Sequence, residues 1–205
     1  RLAPLIAANA AFDGWSKAGV RNAAREAGVD EDVALYAFAG GQMDMIDAWI
    51  ATVDAAMAAA LPAERLAGMK VRERIAALVR FRLEAVNGIE EAVRSALAIM
   101  AMPHNAARSL RIGWRSVDRM WRLAGDTATD FNHYSKRTLL AAIYAATLAV
   151  FVDDASEGKA ETHAFLDRRI DGVMRFEKAK ARLVRPGDER FSMARFLGRL
   201  RYPAV

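Results

Sequence analysis

Apolar side chains recur every three to four residues along most of this chain. Within residues 64–87, for example, Val71, Ile75 and Leu78 are spaced four and three apart, which places them on one face of a helix. We find no run of alternating β-branched residues, which a half-buried strand would need. The pattern therefore predicts an all-α protein.

Capping and turn residues divide this pattern into separate helices. Ser16, Asp30, Asn105 and Asp130 each precede an apolar-periodic segment, and their side chains can accept the free backbone N–H groups of a first turn. Gly28 follows one such segment in a position that suits a left-handed helix end. The predicted helices cover Leu2–Ala11, the segment after Ser16 to Ala27, Glu31–Phe38, Gln42–Leu61, Glu64–Asn87 (one or two helices), Ile89–Met102, the segment after Asn105 to Ala124, Phe131–Asp154, Glu161–Val184 and Phe191–Arg201.

Three short helices followed by longer ones resemble the layout of TetR-type proteins, in which the short bundle binds DNA and the long helices enclose a ligand and dimerise. We predict a helix-turn-helix-like bundle at 1–41, a helical ligand-binding and dimerisation region at 42–184, and a linker with an amphipathic helix at 185–205. The helix that would enter the DNA groove begins Asp30-Glu31-Asp32. Its carboxylates would face the phosphates of the duplex. Nucleic-acid binding is therefore not expected, and a TetR-type regulator with a hydrophobic effector is kept as the alternative.

Composition and charge narrow the function only partly. The chain has no cysteine, which excludes disulfides and thiolate chemistry. Its net charge of +5 suits nucleic acid or an anionic membrane surface equally well. The longest apolar run, Leu139–Val152, is shorter than the roughly 17–25 residues of a spanning helix, which predicts a buried core helix. We recognise no signal peptide, and because the chain starts at Arg1 we expect residues to precede it.

Residues that could support catalysis are few. The three histidines lack the Glu-x-x-His spacing of helical di-iron sites, and neither a phosphate-binding glycine loop nor a serine elbow occurs. Asp130 and His133 could share a metal ion, but Asp130 is more simply a helix cap. Asp153-Asp154 is most simply an exposed helix end, and the charges near Asp167 suggest surface ion pairs. We expect no enzymatic activity, no metal and no cofactor.

Residues 120–126 (Met-Trp-Arg-Leu-Ala-Gly-Asp) and 129–137 (Thr-Asp-Phe-Asn-His-Tyr-Ser-Lys-Arg) resemble the signature of the coenzyme Q (ubiquinone) accessory lipid-binding family. Tyr144, Thr147, Asp153 and the segments 14–16 and 165–170 add to the resemblance. His133 and His163 stand where that family usually has tryptophan. The resemblance implies a TetR-like fold, no catalysis and a homodimer.

The resemblance also implies a ligand, which would be an isoprenoid quinone precursor or a phospholipid. The protein would present the quinone intermediate to a late-step hydroxylase at the membrane. Small residues such as Ala141 and Ala145 would leave room for a lipid tail, although they would equally allow close helix packing. The expected lipid-binding residues are Leu139, Leu140, Ile143, Tyr144, Thr147, Leu148 and Phe151.

The same resemblance places the hydroxylase-docking surface at Met120, Trp121, Arg122 and Asp126. Tryptophan and arginine are favoured at the centres of protein interfaces. The alternative is that Trp121 belongs to the core, because Leu110, Trp114, Val117 and Trp121 lie on one helical stripe.

The last predicted helix has an apolar face and a basic face, as helices that lie in a membrane surface do. We expect it to hold the protein, as a cytoplasmic peripheral protein, on the inner face of a bacterial inner membrane. It could instead pack on its own domain or on a dimer partner. The expected membrane-binding residues are Met193, Arg195, Phe196, Leu197, Arg199 and Leu200.

Overall fold

A computed structural model describes residues 1–126 and 131–183, with the backbone alone at residues 131–133, 174 and 176–183. All regular secondary structure in these residues is helical, which confirms the all-α prediction. The helices are α1 (Leu2–Asp13), α2 (Lys17–Ala27), α3 (Glu31–Ala37), α4 (Gln42–Ala60), α5 (Ala63–Leu66), α6 (Val71–Glu84), α7 (Glu90–Met100), α8 (Ala106–Leu123), α9 (Phe131–Phe151) and α10 (Ala160–Leu183). Residues 1–170 form one compact unit, and a second unit begins at Asp171.

The capping residues explain where the short N-terminal helices begin. The Ser16 hydroxyl accepts the backbone N–H of Gly19, and the Asp30 carboxylate accepts those of Asp32 and Val33 at 2.9 and 3.0 Å. Gly28 ends α2 with a left-handed φ of 63°, which few residues other than glycine adopt at low cost. These three predictions are confirmed.

The predicted cap at Asn105 is wrong. A short 3₁₀ turn, Pro103–Asn105, leads directly into α8, and Asn105 already has a helical backbone (φ −95°, ψ −10°). It therefore lacks the extended backbone that aims a capping side chain at the next turn. Its side-chain amide instead donates to the carbonyl of Ile99 at 2.8 Å.

Trp15 joins the short N-terminal helices to the longer ones. It lies between α1 and α2 and is 1% exposed. Its indole N–H donates to the carbonyl of Ala92 in α7 at 3.2 Å, and its ring centre lies 5.3 Å from that of Trp49 in α4. Burying two indole rings and satisfying the polar N–H stabilises this junction.

The expectation that Asp153 and Asp154 form an exposed helix end holds for Asp153 alone. Asp154 is buried, and its carboxylate accepts hydrogen bonds from the backbone and hydroxyl groups of Ser156 and Thr162. Burial alone would raise the pKa of Asp154, but these hydrogen bonds outweigh it and hold the pKa well below its usual range. Asp154 therefore orders the turn between α9 and α10.

Several predictions fall on residues whose structure is not described. The predicted membrane-binding residues and the segment 185–205 lie outside the described residues, as does the Asp130 cap, and the side chain of His133 is not described. The division into the three predicted domains stays a prediction. No helix within the described ranges is long and apolar enough to cross a membrane. The predicted membrane-binding residues that lie outside the described residues are Met193, Arg195, Phe196, Leu197, Arg199 and Leu200.

Candidate functional site

A cavity of about 620 Å³ lies among α4, α6, α7, α8 and α9. This volume is within the range of roughly 300–1,000 Å³ that is usual for small-molecule sites. Leu110 lines the cavity and is 76% exposed, so this part of the wall faces solvent. Most of the wall is apolar, and its larger side chains include Trp49, Ile50, Val53, Leu97, Met100, Trp114 and Leu148.

Only one stripe of α9 faces this cavity. Of the seven predicted lipid-binding residues, Tyr144 and Leu148 line the cavity wall. The other α9 residues in the wall are Thr138, Ala141 and Ala145. The two alanines are among the small residues expected to leave room for a lipid tail, whereas Thr138 was not predicted. Thr138, Ala141 and Ala145 are spaced three and four residues apart, and this helical spacing is the signal that could have found Thr138.

The remaining five predicted residues lie outside the wall of this cavity, and their assignment to lipid binding stays a prediction. Leu140 and Phe151 are buried in the core, and Ile143 packs against it. Leu139 is 40% exposed. The buried hydroxyl of Thr147 donates to the carbonyl of Ile143 at 2.7 Å, so its hydrogen-bond partner lies within the same helix.

A buried ion pair lies at the cavity wall. Arg82 of α6 lines the cavity, is 3% exposed and pairs through Nη1 with the carboxylate of Asp54 in α4. The other oxygen of Asp54 accepts the Ser116 hydroxyl at 2.8 Å. The Arg82 guanidinium lies 5.0 Å from the ring centre of Tyr144, close enough for a cation–π interaction. We call Asp54, Arg82, Ser116 and Tyr144 the Arg82 cluster.

The sequence analysis missed both charged members of the Arg82 cluster. Asp54 and Arg82 each interrupt an otherwise apolar helix face, beside Val53 and Val79 respectively. A charge in such a stripe is the available signal, because charged residues are seldom buried without a partner. Arg82 Nε is also buried and has no hydrogen-bond partner among the described residues.

The four predicted docking residues differ in how accessible they are. Met120 is 0% exposed, so it is a core residue and its assignment to an accessible docking surface is wrong. Trp121 is half-buried, and its indole N–H donates to the carbonyl of Lys136 at 3.1 Å. The side chain of Arg122 is 73% exposed and pairs with Asp118 one turn earlier at 2.7 Å. Of the four, Arg122 is the residue that a partner could reach most easily.

Asp126 takes part in a second ionic cluster, which is partly buried. Its carboxylate contacts Lys136 at 2.7 Å and Arg137 at 3.0 Å, and Arg137 also contacts Asp118 at 2.7 Å. Burial alone would raise the pKa of Asp126, but the hydrogen bonds from Lys136 and Arg137 lower it below its ordinary value. We call Asp118, Asp126, Lys136 and Arg137 the Arg137 cluster. It joins the end of α8 to the first half of α9.

Gly125 makes the turn that places Asp126 in this cluster. Its φ is 88°, and a Cβ there would lie 3.0 Å from Nη1 of Arg74. That guanidinium donates through the same nitrogen to the carbonyl of Ala124 at 2.9 Å. The backbone conformation therefore favours glycine, and a Cβ here would also require the end of the Arg74 side chain to shift slightly.

The acidic start of α3 interacts with basic residues of α2. Glu31 contacts Arg25 at 3.0 Å and Arg21 at 3.7 Å. Glu31 thus partly neutralises two cations of the bundle, and the expectation against DNA binding stays a prediction. Elsewhere in the described part of the chain, no group of three or more His, Asp or Glu side chains is placed to hold a metal ion.

Comparison with known proteins points to one family. Residues 106–177 match the family model described as COQ9. The resemblance to the coenzyme Q accessory lipid-binding family is confirmed. The human "Ubiquinone biosynthesis protein COQ9, mitochondrial" is 44% identical over 79 residues, which cover 38% of this chain and 25% of the human protein. The "Probable ubiquinone biosynthesis protein coq9, mitochondrial" of Dictyostelium discoideum is 30% identical over 115 residues, which cover 56% of this chain and 38% of that protein.

The chain thus matches about a quarter to two fifths of the length of these two COQ9 proteins. Its fold is similar to the crystal structure of the TetR transcriptional regulator from Nitrosomonas europaea ATCC 19718. The TM-score is 0.66 at 21% identity, over 83% of this chain and 94% of that one. The predicted TetR-like, all-α fold is confirmed. The segment that matches COQ9 contains α8 and α9, which supply more than half of the residues of the cavity wall.

Proposed function

We propose that this chain is a non-catalytic, lipid-binding accessory protein of ubiquinone biosynthesis. It binds isoprenoid quinone intermediates in the cavity among α4 and α6–α9, and it presents them to a late-step hydroxylase at the membrane. The observation that carries the proposal is the cavity of about 620 Å³ with its largely apolar wall. The comparison with COQ9 proteins supports the proposal, because α8 and α9 lie in the segment that matches the COQ9 family model.

The first test is native mass spectrometry of the purified protein, followed by solvent extraction of whatever is released on denaturation. We expect an isoprenoid lipid or phospholipid to co-purify, with a mass that corresponds to a homodimer. A lipid-free protein that takes up no added quinone precursor would contradict the carrier function. Salt-sensitive binding to duplex DNA in the same preparation would favour the regulator alternative.

A matched pair of variants tests whether the lipid occupies this cavity. Ala141 lines the cavity, whereas its neighbour Ala142 is exposed and absent from the wall. We expect Ala141→Phe to reduce co-purifying lipid severalfold, because the ring fills space in the wall, and Ala142→Phe to leave it unchanged. Equal lipid content in two folded variants would show that the lipid binds elsewhere.

Docking of the hydroxylase is proposed at the exposed end of α8, around Arg122 and the accessible edge of Trp121. The side chain of Arg122 is largely exposed, and Trp121 is held in place by its hydrogen bond to Lys136. We expect Arg122→Glu to weaken capture of the hydroxylase from the same organism. The matched control is Arg119→Glu on the same helix, where the side chain is also exposed. Equal capture by both variants would place the docking surface elsewhere.

Membrane contact remains a proposal from the sequence of the last segment. Flotation with vesicles of neutral or anionic phospholipid tests it. We expect binding to anionic vesicles that weakens when Arg195 and Arg199 are both changed to Gln, since each arginine near such a surface contributes about 1 kcal/mol. Flotation that is unaffected by this change would contradict the assignment.

A further inference from the structure

The cavity opens to the surface between the first half of α8 and the middle of α9. Five of the residues that line the cavity are also exposed, and Leu110 is the most exposed of them at 76%. None of the five is charged, and four are apolar. We call them the cavity rim, and they are Ala101, Ala106, Leu110, Thr138 and Ala145.

Apolar side chains continue from the cavity rim onto the outer surface. Met102, in the turn before α8, is 41% exposed, and Ala107 in the first turn of α8 is exposed as well. Ala107, Leu110 and Trp114 are spaced three and four residues apart, so they lie on one face of α8. Exposed apolar side chains that adjoin the opening of an apolar cavity indicate a contact surface.

The charge beside this face of α8 is positive. Arg111 follows Leu110, is exposed, and has neither an ion pair nor a hydrogen bond from its side chain to any described residue. Arg108 and Arg115, in contrast, pair with Asp44 and Asp47 at 2.6 and 2.7 Å. The charge of Arg111 is therefore available to an external anionic group.

The sequence around the cavity rim lacks acidic residues altogether. No Asp or Glu occurs in residues 92–117, which include the end of α7 and most of α8. None occurs in residues 131–152, which include all of α9. A negatively charged surface could therefore approach the rim without meeting a carboxylate from these segments.

A lipid bilayer fits this combination of apolar and basic groups. A lipid tail that left the cavity into water would lose its burial, at a cost that grows with every methylene group. Apolar side chains flanked by arginine are typical of surfaces that contact anionic membranes. A second copy of this chain fits less well, because a two-fold contact would place the patch and its Arg111 against themselves.

We propose that the cavity rim and the adjoining face of α8, from Ala107 to Trp114, dock on an anionic bilayer, so that lipid passes directly between membrane and cavity. This inference rests on the proposed lipid-binding function and identifies where the ligand enters. The surface is separate from the last predicted helix. It is also separate from the proposed hydroxylase-docking site, since Arg122 lies about 18 Å further along α8 than Leu110.

A fluorescent label at Ala107 tests the contact directly. The chain has no cysteine, so Ala107→Cys can be labelled with nitrobenzoxadiazole at one position. We expect anionic vesicles of phosphatidylcholine and phosphatidylglycerol to shift its emission to shorter wavelength and to protect it from a water-soluble quencher. The matched control is Val33→Cys on α3, where the side chain is 61% exposed, and its label should stay in water.

The other outcomes of this experiment would overturn the inference. If the protein floats with the vesicles while the label at residue 107 stays in water, the membrane contact lies elsewhere and the carrier function stands. If the label becomes buried without vesicles as the protein concentration rises, a second copy covers this face of α8. The carrier function is judged separately, by the lipid that co-purifies.

Removing one charge tests the role of Arg111. We expect Arg111→Gln to lower the affinity for anionic vesicles about fivefold, which is the contribution of one arginine near such a surface. Its affinity for 2-decyl-1,4-benzoquinone in solution should not change, because Arg111 does not line the cavity. The matched control is Lys17→Gln, which removes one exposed charge from α2 and should leave both affinities unchanged.

The two affinities distinguish failure of the inference from failure of the proposed function. Equal vesicle affinity of the Arg111 and Lys17 variants, whether lowered or not, would overturn docking through this face of α8. If the unaltered protein binds the quinone in solution, the carrier function stands in either case. If the unaltered protein binds no quinone at all, the carrier function and this inference fail together.

Discussion

Two buried arginines, one in each ionic cluster, differ in what surrounds them. Arg137 is 1% exposed and lies between the carboxylates of Asp118 and Asp126. Arg82 is 3% exposed, pairs with Asp54 and retains a buried Nε–H without a partner in the described chain. Arg82 borders the cavity, whereas Arg137 is absent from its wall. Similar chemistry therefore satisfies the arginine between two carboxylates in one place, and in the other leaves one buried N–H without a partner among the described residues.

The difference changes how the family signature is interpreted. Trp121, Gly125, Asp126, Lys136 and Arg137 all lie in the segment that matches COQ9. Each has a contact or a backbone conformation that positions α9 against α8. These residues would be required for the fold even if no partner bound there. The Arg82 cluster, in contrast, includes two residues before this segment, Asp54 and Arg82, and the buried Nε of Arg82 has no hydrogen-bond partner among the described residues.

The largest expected effect is that of Arg82→Met alone. It removes the close cation of the buried Asp54 carboxylate and leaves only Arg115, 4.0 Å away, which should lower the free energy of unfolding by about 3–5 kcal/mol. Urea denaturation followed by circular dichroism measures this. Adding Asp54→Leu should restore most of the loss, because both charges are then gone. If the double variant is as unstable as the single one, packing of the arginine stem rather than charge pairing determines stability here.

Arg137→Met should have the next largest effect, a loss of about 3 kcal/mol in the same assay. The two carboxylates that remain, Asp118 and Asp126, are less deeply buried than Asp54, so water can solvate them partly. Arg119→Met is the matched control, since that side chain is exposed on α8 and should change stability by less than about 0.5 kcal/mol. Similar losses in both variants would mean that the Arg137 cluster is not a stabilising unit.

Gly125→Ala should cost about 1–2 kcal/mol, because alanine at a φ of 88° is strained. The added methyl group would also push against Nη1 of Arg74, which donates to the Ala124 carbonyl. Gly113→Ala is the opposite case, since Gly113 is in the middle of α8 with open space around its Cα. That change should raise stability by about 0.5–1 kcal/mol through helix propensity. Thermal denaturation of the two variants distinguishes them, and a loss in both would argue against the turn as the cause.

The same contrast shows what the sequence could predict. Ser16, Gly28 and Asp30 were predicted correctly because each acts on backbone groups within three or four residues. Arg82 and Asp54 meet across 28 positions, and no local pattern indicates that pairing. The cavity residues of α9 could have been found from helical periodicity, but the direction in which α9 faces depends on its neighbours. Met120 shows a different kind of error. The motif at residues 120–126 was interpreted as a docking surface, but its first residue, Met120, is completely buried.

The smallest expected effect is a change in how stability depends on pH at the Arg137 cluster. The pKa of Asp126 lies below its value in the unfolded chain, about 3.9. As the pH falls, Asp126 is therefore protonated in the unfolded chain before it is protonated in the folded protein. The stability that Asp126 contributes is fully present above about pH 4, and it is lost as the pH falls through the lower pKa of the folded state. The difference in unfolding free energy between the unaltered protein and Asp126→Asn should shrink between about pH 5 and pH 2. In a Lys136→Met background that difference should depend less on pH, because one of the two cations that stabilise the carboxylate is absent. If the difference in unfolding free energy stays constant over this pH range, the charge of Asp126 does not stabilise the fold. The turn at Gly125 alone would then position α9.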